Sequence, residues 1–124
     1  MSLDEQAKER LRSLLVEVVL ELRAAYLRTP GVNVLKHWDQ LQDRMRAAAR
    51  SSETPEEWIT TMTRTLQLGA PQGDSSRSFR DLADFVRERG AAREFLELID
   101  REFGYVIAVA RGVSEQRREA AKHA

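Results

Sequence analysis

The residues able to do chemistry fall into three sets. Glu94, Glu97 and Asp100 stand at i, i+3 and i+6, near one face of a helix. A carboxylate site for a divalent cation needs clustered acids, and this triplet is the candidate. The nearest second pair, Glu53 with Glu56 and Glu57, surrounds a helix cap instead, so the expectation is a solvated acidic face with no metal and no cofactor. His37, with Lys36 and Trp38 beside it and Asp39 next, has neighbours that suit a general base, but its place beside an apolar stripe points to a histidine at the core boundary. The third set is arginine, 17 against 3 lysines. A guanidinium fork matches phosphate oxygens better than an ammonium does, and the arginines are unevenly spread. Arg44, Arg46 and Arg50 run without an acid between them, and Arg111 shares a helix face with Arg118. These five are the candidate nucleic-acid contacts. A GC-rich genome produces the same arginine excess without function. Around Arg77, Arg80, Arg87, Arg89 and Arg93 the acids Asp81, Asp84 and Glu88 predict local ion pairs.

The elements that position these residues are helical throughout. Leu11, Leu14, Leu15, Val18, Val19, Leu22, Ala25 and Tyr26 recur at helical spacing, predicting a helix over about 3–28, with Ser2 and Glu5 at capping-box separation. Thr29-Pro30-Gly31 ends it. Asn33 would cap a second helix over 34–50 with Val34, Leu35, Trp38, Leu41, Met45 and Ala48 inward. Thr54-Pro55 opens a third, over 55–68, on Trp58, Ile59, Met62 and Leu66. The segment 69–77, rich in Gly, Pro and Ser, is the one predicted loop. A fourth helix over 79–89 ends at Gly90. A fifth runs over 91–120 on Phe95, Ile99, Phe103, Val106, Ala110 and Val113. The expected fold is an all-α, single-domain bundle of five helices spanning residues 1–124, with a long C-terminal helix.

Composition bounds the function. With 20 basic and 20 acidic residues the net charge is zero, which argues against a protein gripping nucleic acid by bulk charge and leaves room for a local basic patch. The absence of cysteine excludes disulfides, thiolate metal sites and a cysteine nucleophile. Glu17 and Glu21 interrupt the greasy stretch from Leu14 to Leu22, so no membrane contact is expected. The N-terminus lacks the basic start and apolar block of a signal peptide, and the expected location is cytoplasmic. Glycine-rich phosphate loops and nucleophile elbows are missing, and the expectation is that the chain is not an enzyme.

The fifth helix says most about partners. From Phe103 to Ala110 it has no charge, so it must be covered on all sides by its own bundle or by another chain. Gly104, Ala108 and Gly112, four apart, leave a smooth track, and with Tyr105 and Val109 they form the candidate protein interface, for other subunits of a complex or for self-association.

Three resemblances follow. The acidic triplet is similar to the magnesium motifs of all-α nucleotide pyrophosphatases, but lacks their second helix-borne pair. Arg118 and His123, separated by Glu119-Ala120-Ala121-Lys122, resemble the arginine–histidine motif of HEPN ribonucleases, which would make His123 catalytic; those families carry a small polar residue where Glu119 stands. The segment from Arg93 to Arg111, with Phe95, Phe103 and Tyr105, is similar in rhythm to the last helix of the small subunits of CRISPR effector complexes. That resemblance implies a non-catalytic antiviral-defence subunit, several copies stacked along a protein filament, with arginines lining the path of guide or target strand. The alternative is a protein-only adaptor or homo-oligomer built on the fifth helix.

Overall fold

The computed structural model describes residues 3–28, 36–65 and 77–122. It contains α1 (Glu5–Leu27), α2 (His37–Arg50), α3 (Pro55–Thr65), α4 (Arg77–Arg89) and α5 (Ala92–Lys122), and no strand among the described residues. The fold is an all-α bundle. No helix among the described residues is long and apolar enough to cross a membrane.

Each helix end has a local cause. Asp4, rather than Ser2, caps α1: its Oδ1 accepts from the Ala7 backbone N–H at 2.7 Å, satisfying one of the amide groups a helix start leaves orphaned. At α3, Thr54 Oγ1 accepts from the Glu57 N–H at 3.1 Å and the Glu57 carboxylate accepts from the Glu53 N–H at 3.0 Å, so the two side chains secure the start from both directions. The α4–α5 corner is a Schellman turn. The Ala91 N–H donates to the Val86 carbonyl at 3.0 Å and the Gly90 N–H to that of Arg87 at 3.2 Å, while Gly90 takes φ 58°. Buried Ala91 and Val86 complete the motif's apolar contact. Helix α4 starts at Arg77, two residues before the expected 79, and α5 extends past 120 to Lys122. The expected cap Asn33, the stripe residues Val34, Leu35 and Leu66, and 69–76 of the expected loop lie outside the described residues.

The long helix α5 packs against α1 and α2, α4 lies on α1, and α3 on α2. Their inner faces meet in one core of Leu11, Leu15, Leu41, Met45, Trp58, Phe95, Ile99 and Phe103, all essentially solvent-free. Trp58 sits edge-on to Phe95 with centroids 5.4 Å apart, and its indole N–H donates to the Met45 carbonyl at 3.1 Å, which lets the largest side chain be buried without an orphaned donor. Buried Tyr26 likewise donates its hydroxyl to Gln40 Oε1 at 2.7 Å, tying α1 to α2. The bundle alone does not cover α5 all round: Phe103, Val106, Ile107 and Ala110 are buried, but Gly104, Tyr105 and Ala108 face outward, because α1 and α2 flank the helix without enclosing it.

Candidate phosphate-binding site

Most arginines whose partners are seen act as staples. Arg12 reaches from α1 to Glu102 on α5 at 2.9 Å and to Glu9 at 3.1 Å. Burial opposes its charge, but the hydrogen bond and attraction of Glu102 outweigh this and its pKa is raised. Arg87 joins α4 to Glu56 of α3 at 2.8 Å, and Arg117 joins α5 to Glu17 of α1 at 2.7 Å. Arg50, one of the five expected phosphate contacts, gives its Nε–H to Asp100 of α5 at 2.8 Å. That bond is the first cause of the depressed Asp100 carboxyl pKa, with further attraction from Arg50, Arg46 and Arg101. The acid that the sequence around Arg44, Arg46 and Arg50 lacks therefore arrives from another helix. Arg44 is exposed; Arg46 is half-buried with its Nε enclosed and unbonded.

A different set of arginines converges on Trp38. Arg23 of α1 lies over the indole at 4.7 Å from the ring centroid and Arg111 of α5 at 5.9 Å, distances at which a ring face attracts a cation. The Arg23 Nε–H donates to His37 Nε2 at 2.8 Å and its Nη1 to Ser114 Oγ at 3.1 Å. The buried His37 thus accepts from Arg23 at Nε2 and orients that arginine. The Arg23 pKa is lowered, first by burial and then by the charge of Arg118. No carboxylate pulls it the other way, and Arg23, Arg111 and Arg118 form no ion pair among the described residues. Glu115 lies one turn from Arg111 and from Arg118 on α5 without pairing with either.

Two guanidinium groups thus lie over the indole, and the charge of Arg118 acts on the half-buried Arg23 with no carboxylate drawing its pKa back up. Such a group suits a diffuse anion: guanidinium forks for phosphate oxygens and a partly exposed indole for an unstacked base. Of the five expected contacts, Arg111 lies over the indole and Arg118 acts on Arg23, while Arg44, Arg46 and Arg50 lie elsewhere on α2. Sequence reasoning missed Arg23; it placed Trp38 on the inward stripe, and Trp38 does pack, partly buried, against the core. A signal for Arg23 was present: its neighbours at i±3 and i±4 are Val19, Leu20, Tyr26 and Leu27, so no acid on its own helix can pair with it.

The other chemical candidates separate. Glu97 pairs with Arg93 at 3.5 Å and Asp100 with Arg50, and no group of three potential ligands among the described residues is placed to hold a metal ion. His123, the histidine of the ribonuclease resemblance, lies outside the described residues. No family model, no curated protein and no solved structure matches this chain.

Proposed function

We propose that the chain is a non-catalytic helical subunit of a nucleoprotein assembly, meeting the phosphate backbone of single-stranded nucleic acid through Arg23, Arg111 and Arg118, with Trp38 beside them as a stacking surface. The small-subunit role in a CRISPR effector complex is the specific form of this reading. The observation that carries it is the half-buried Arg23, seated over Trp38 with Arg111 and in no ion pair among the described residues, with the charge of Arg118 acting on it. Holding like charges together at a partly desolvated place costs stability, and a bound phosphate offsets that cost. The neutral overall charge confines the attraction to this patch, so binding depends on a few phosphates rather than on the whole surface.

The test is the salt dependence of binding to labelled single-stranded RNA, followed by anisotropy. Affinity should fall with salt and be indifferent to base sequence. Changing exposed Arg111 and Arg118 together to Ala should flatten the log–log slope by about 1.4, at roughly 0.7 for each phosphate no longer neutralised. Binding absent at low salt, or unchanged in the double variant, overturns the reading. The assembly half is read separately: gentle purification from the native host should yield a large RNA-bearing complex, not a nucleic-acid-free peak.

A further inference from the structure

One face of α5 is left outside the bundle. Gly104, Tyr105, Ala108 and Gly112 are exposed and Val109 is half-buried; Tyr105, at 61% exposure, is a large apolar side chain with most of its ring in solvent. A Cβ at Gly112 would meet nothing within 4 Å, and one at Gly104 only the Gln42 side-chain amide at 3.6 Å. Nothing within this chain therefore requires glycine at either place, although each costs the helix about 1 kcal/mol against alanine. Beside this face α1 and α5 leave an apolar groove floored by Val16, Val106, Val109 and Val113, with Tyr105 at its side. Its rim residues Glu9, Arg12, Glu17 and Arg117 are already joined in ion pairs, so the groove offers its walls to an apolar side chain rather than to a charge.

The register of α5 says what that side chain is. About Ala108 the helix is symmetric in size and complementary in charge: Gly104 and Gly112 lie four residues to either side, and Arg101 and Glu115 seven. Arg101 and Glu115 are exposed and make no ion pair among the described residues. A second α5 crossing antiparallel at Ala108 sets Gly104 over Gly112 of the other copy. It also brings Arg101 to the other copy's Glu115, about 10.5 Å along the axis from the crossing, twice by symmetry. Tyr105 then stands level with residue 111 of the other copy, on the side of Val109, Gly112 and Val113, where the missing Cβ opens the groove to a ring. Glu97 and Glu119, eleven residues to either side, are like charges, and each is neutralised on its own helix by Arg93 and Lys122.

We infer that the chain forms a two-fold symmetric dimer in which the α5 helices cross antiparallel at Ala108 and Tyr105 of each copy fills the α1–α5 groove of the other. The interface is isologous, each patch meeting itself, and the inference goes beyond the phosphate reading: it is argued from the Gly104–Gly112 track, Tyr105 and the Arg101–Glu115 pair, with exposed Arg111 beside the crossing.

The chain has no cysteine, so introduced cysteines report without background. Light scattering on the full chain should give twice the 14.2 kDa of one copy. Tyr105→Glu, at an exposed position, should leave the helical circular dichroism unchanged and weaken dimerisation at least about tenfold. Under mild oxidation Ala108→Cys should cross-link to itself. Arg101→Cys should not, but should cross-link when mixed with Glu115→Cys. A monomer mass at every concentration, a dimer indifferent to Tyr105→Glu, or self-linking of Arg101→Cys as fast as that of Ala108→Cys overturns the inference.

Discussion

Trp58 shows how much of the fold hangs on single side chains. It is fully buried, edge-on to Phe95 and hydrogen-bonded to the Met45 carbonyl. Trp58→Ala should cost about 3–5 kcal/mol through cavity formation, and Trp58→Phe less, about 1–3 kcal/mol, since the ring remains but the indole donor is lost; urea unfolding checks both. The Asp100 carboxyl gives a pH-dependent counterpart. Its pKa is depressed, chiefly by the Arg50 hydrogen bond, so its contribution to stability is present above the ordinary carboxylate range and is lost as pH falls through the lowered value. In Arg50→Ala the Asp100 titration midpoint, followed by NMR, should move up towards the ordinary value; Arg46 and Arg101 should retain part of the depression. Burial of Trp58 was legible from its place on a helical stripe. The Asp100 partner was not, because the two residues are 50 apart in sequence.

At the scale of the element, helix ends obey local chemistry and were largely readable. Thr54, Pro55 and Glu57 mark the start of α3, and Gly90 marks the end of α4. Gly90 takes a positive φ, and a Cβ there would meet nothing within 4 Å. The cost of Gly90→Ala is therefore conformational alone, about 1–2 kcal/mol of destabilisation, measurable as a lowered urea midpoint. The start of α1 was read less well: a serine and an aspartate two residues apart can both cap, and the choice of Asp4 depends on where the chain turns into the helix. Helix α5 was recognised by its apolar run, but periodicity does not say which side of a uniformly apolar helix is covered. That depends on the angle at which α1 and α2 flank it.

At the scale of the whole molecule, packing sorts 17 chemically identical arginines into different roles. Arg12, Arg50, Arg87 and Arg117 tie helix to helix, whereas Arg23 and Arg111 lie over Trp38 and Arg118 adds its charge to that of Arg23. The salt-slope prediction belongs at this scale: loss of Arg111 and Arg118 should flatten the dependence, whereas exposed Arg80 changed to Ala should leave it in place. The sequence by itself determined the helices, the start of α3, the end of α4 and most of the inward residues, because hydrophobic periodicity and capping act within a few residues of chain. Only the tertiary structure decided which charges meet, that His37 holds an arginine, and that the Tyr105 face stays open. Those outcomes depend on residues up to about a hundred apart in sequence brought together by packing, and no local pattern encodes the distance between them.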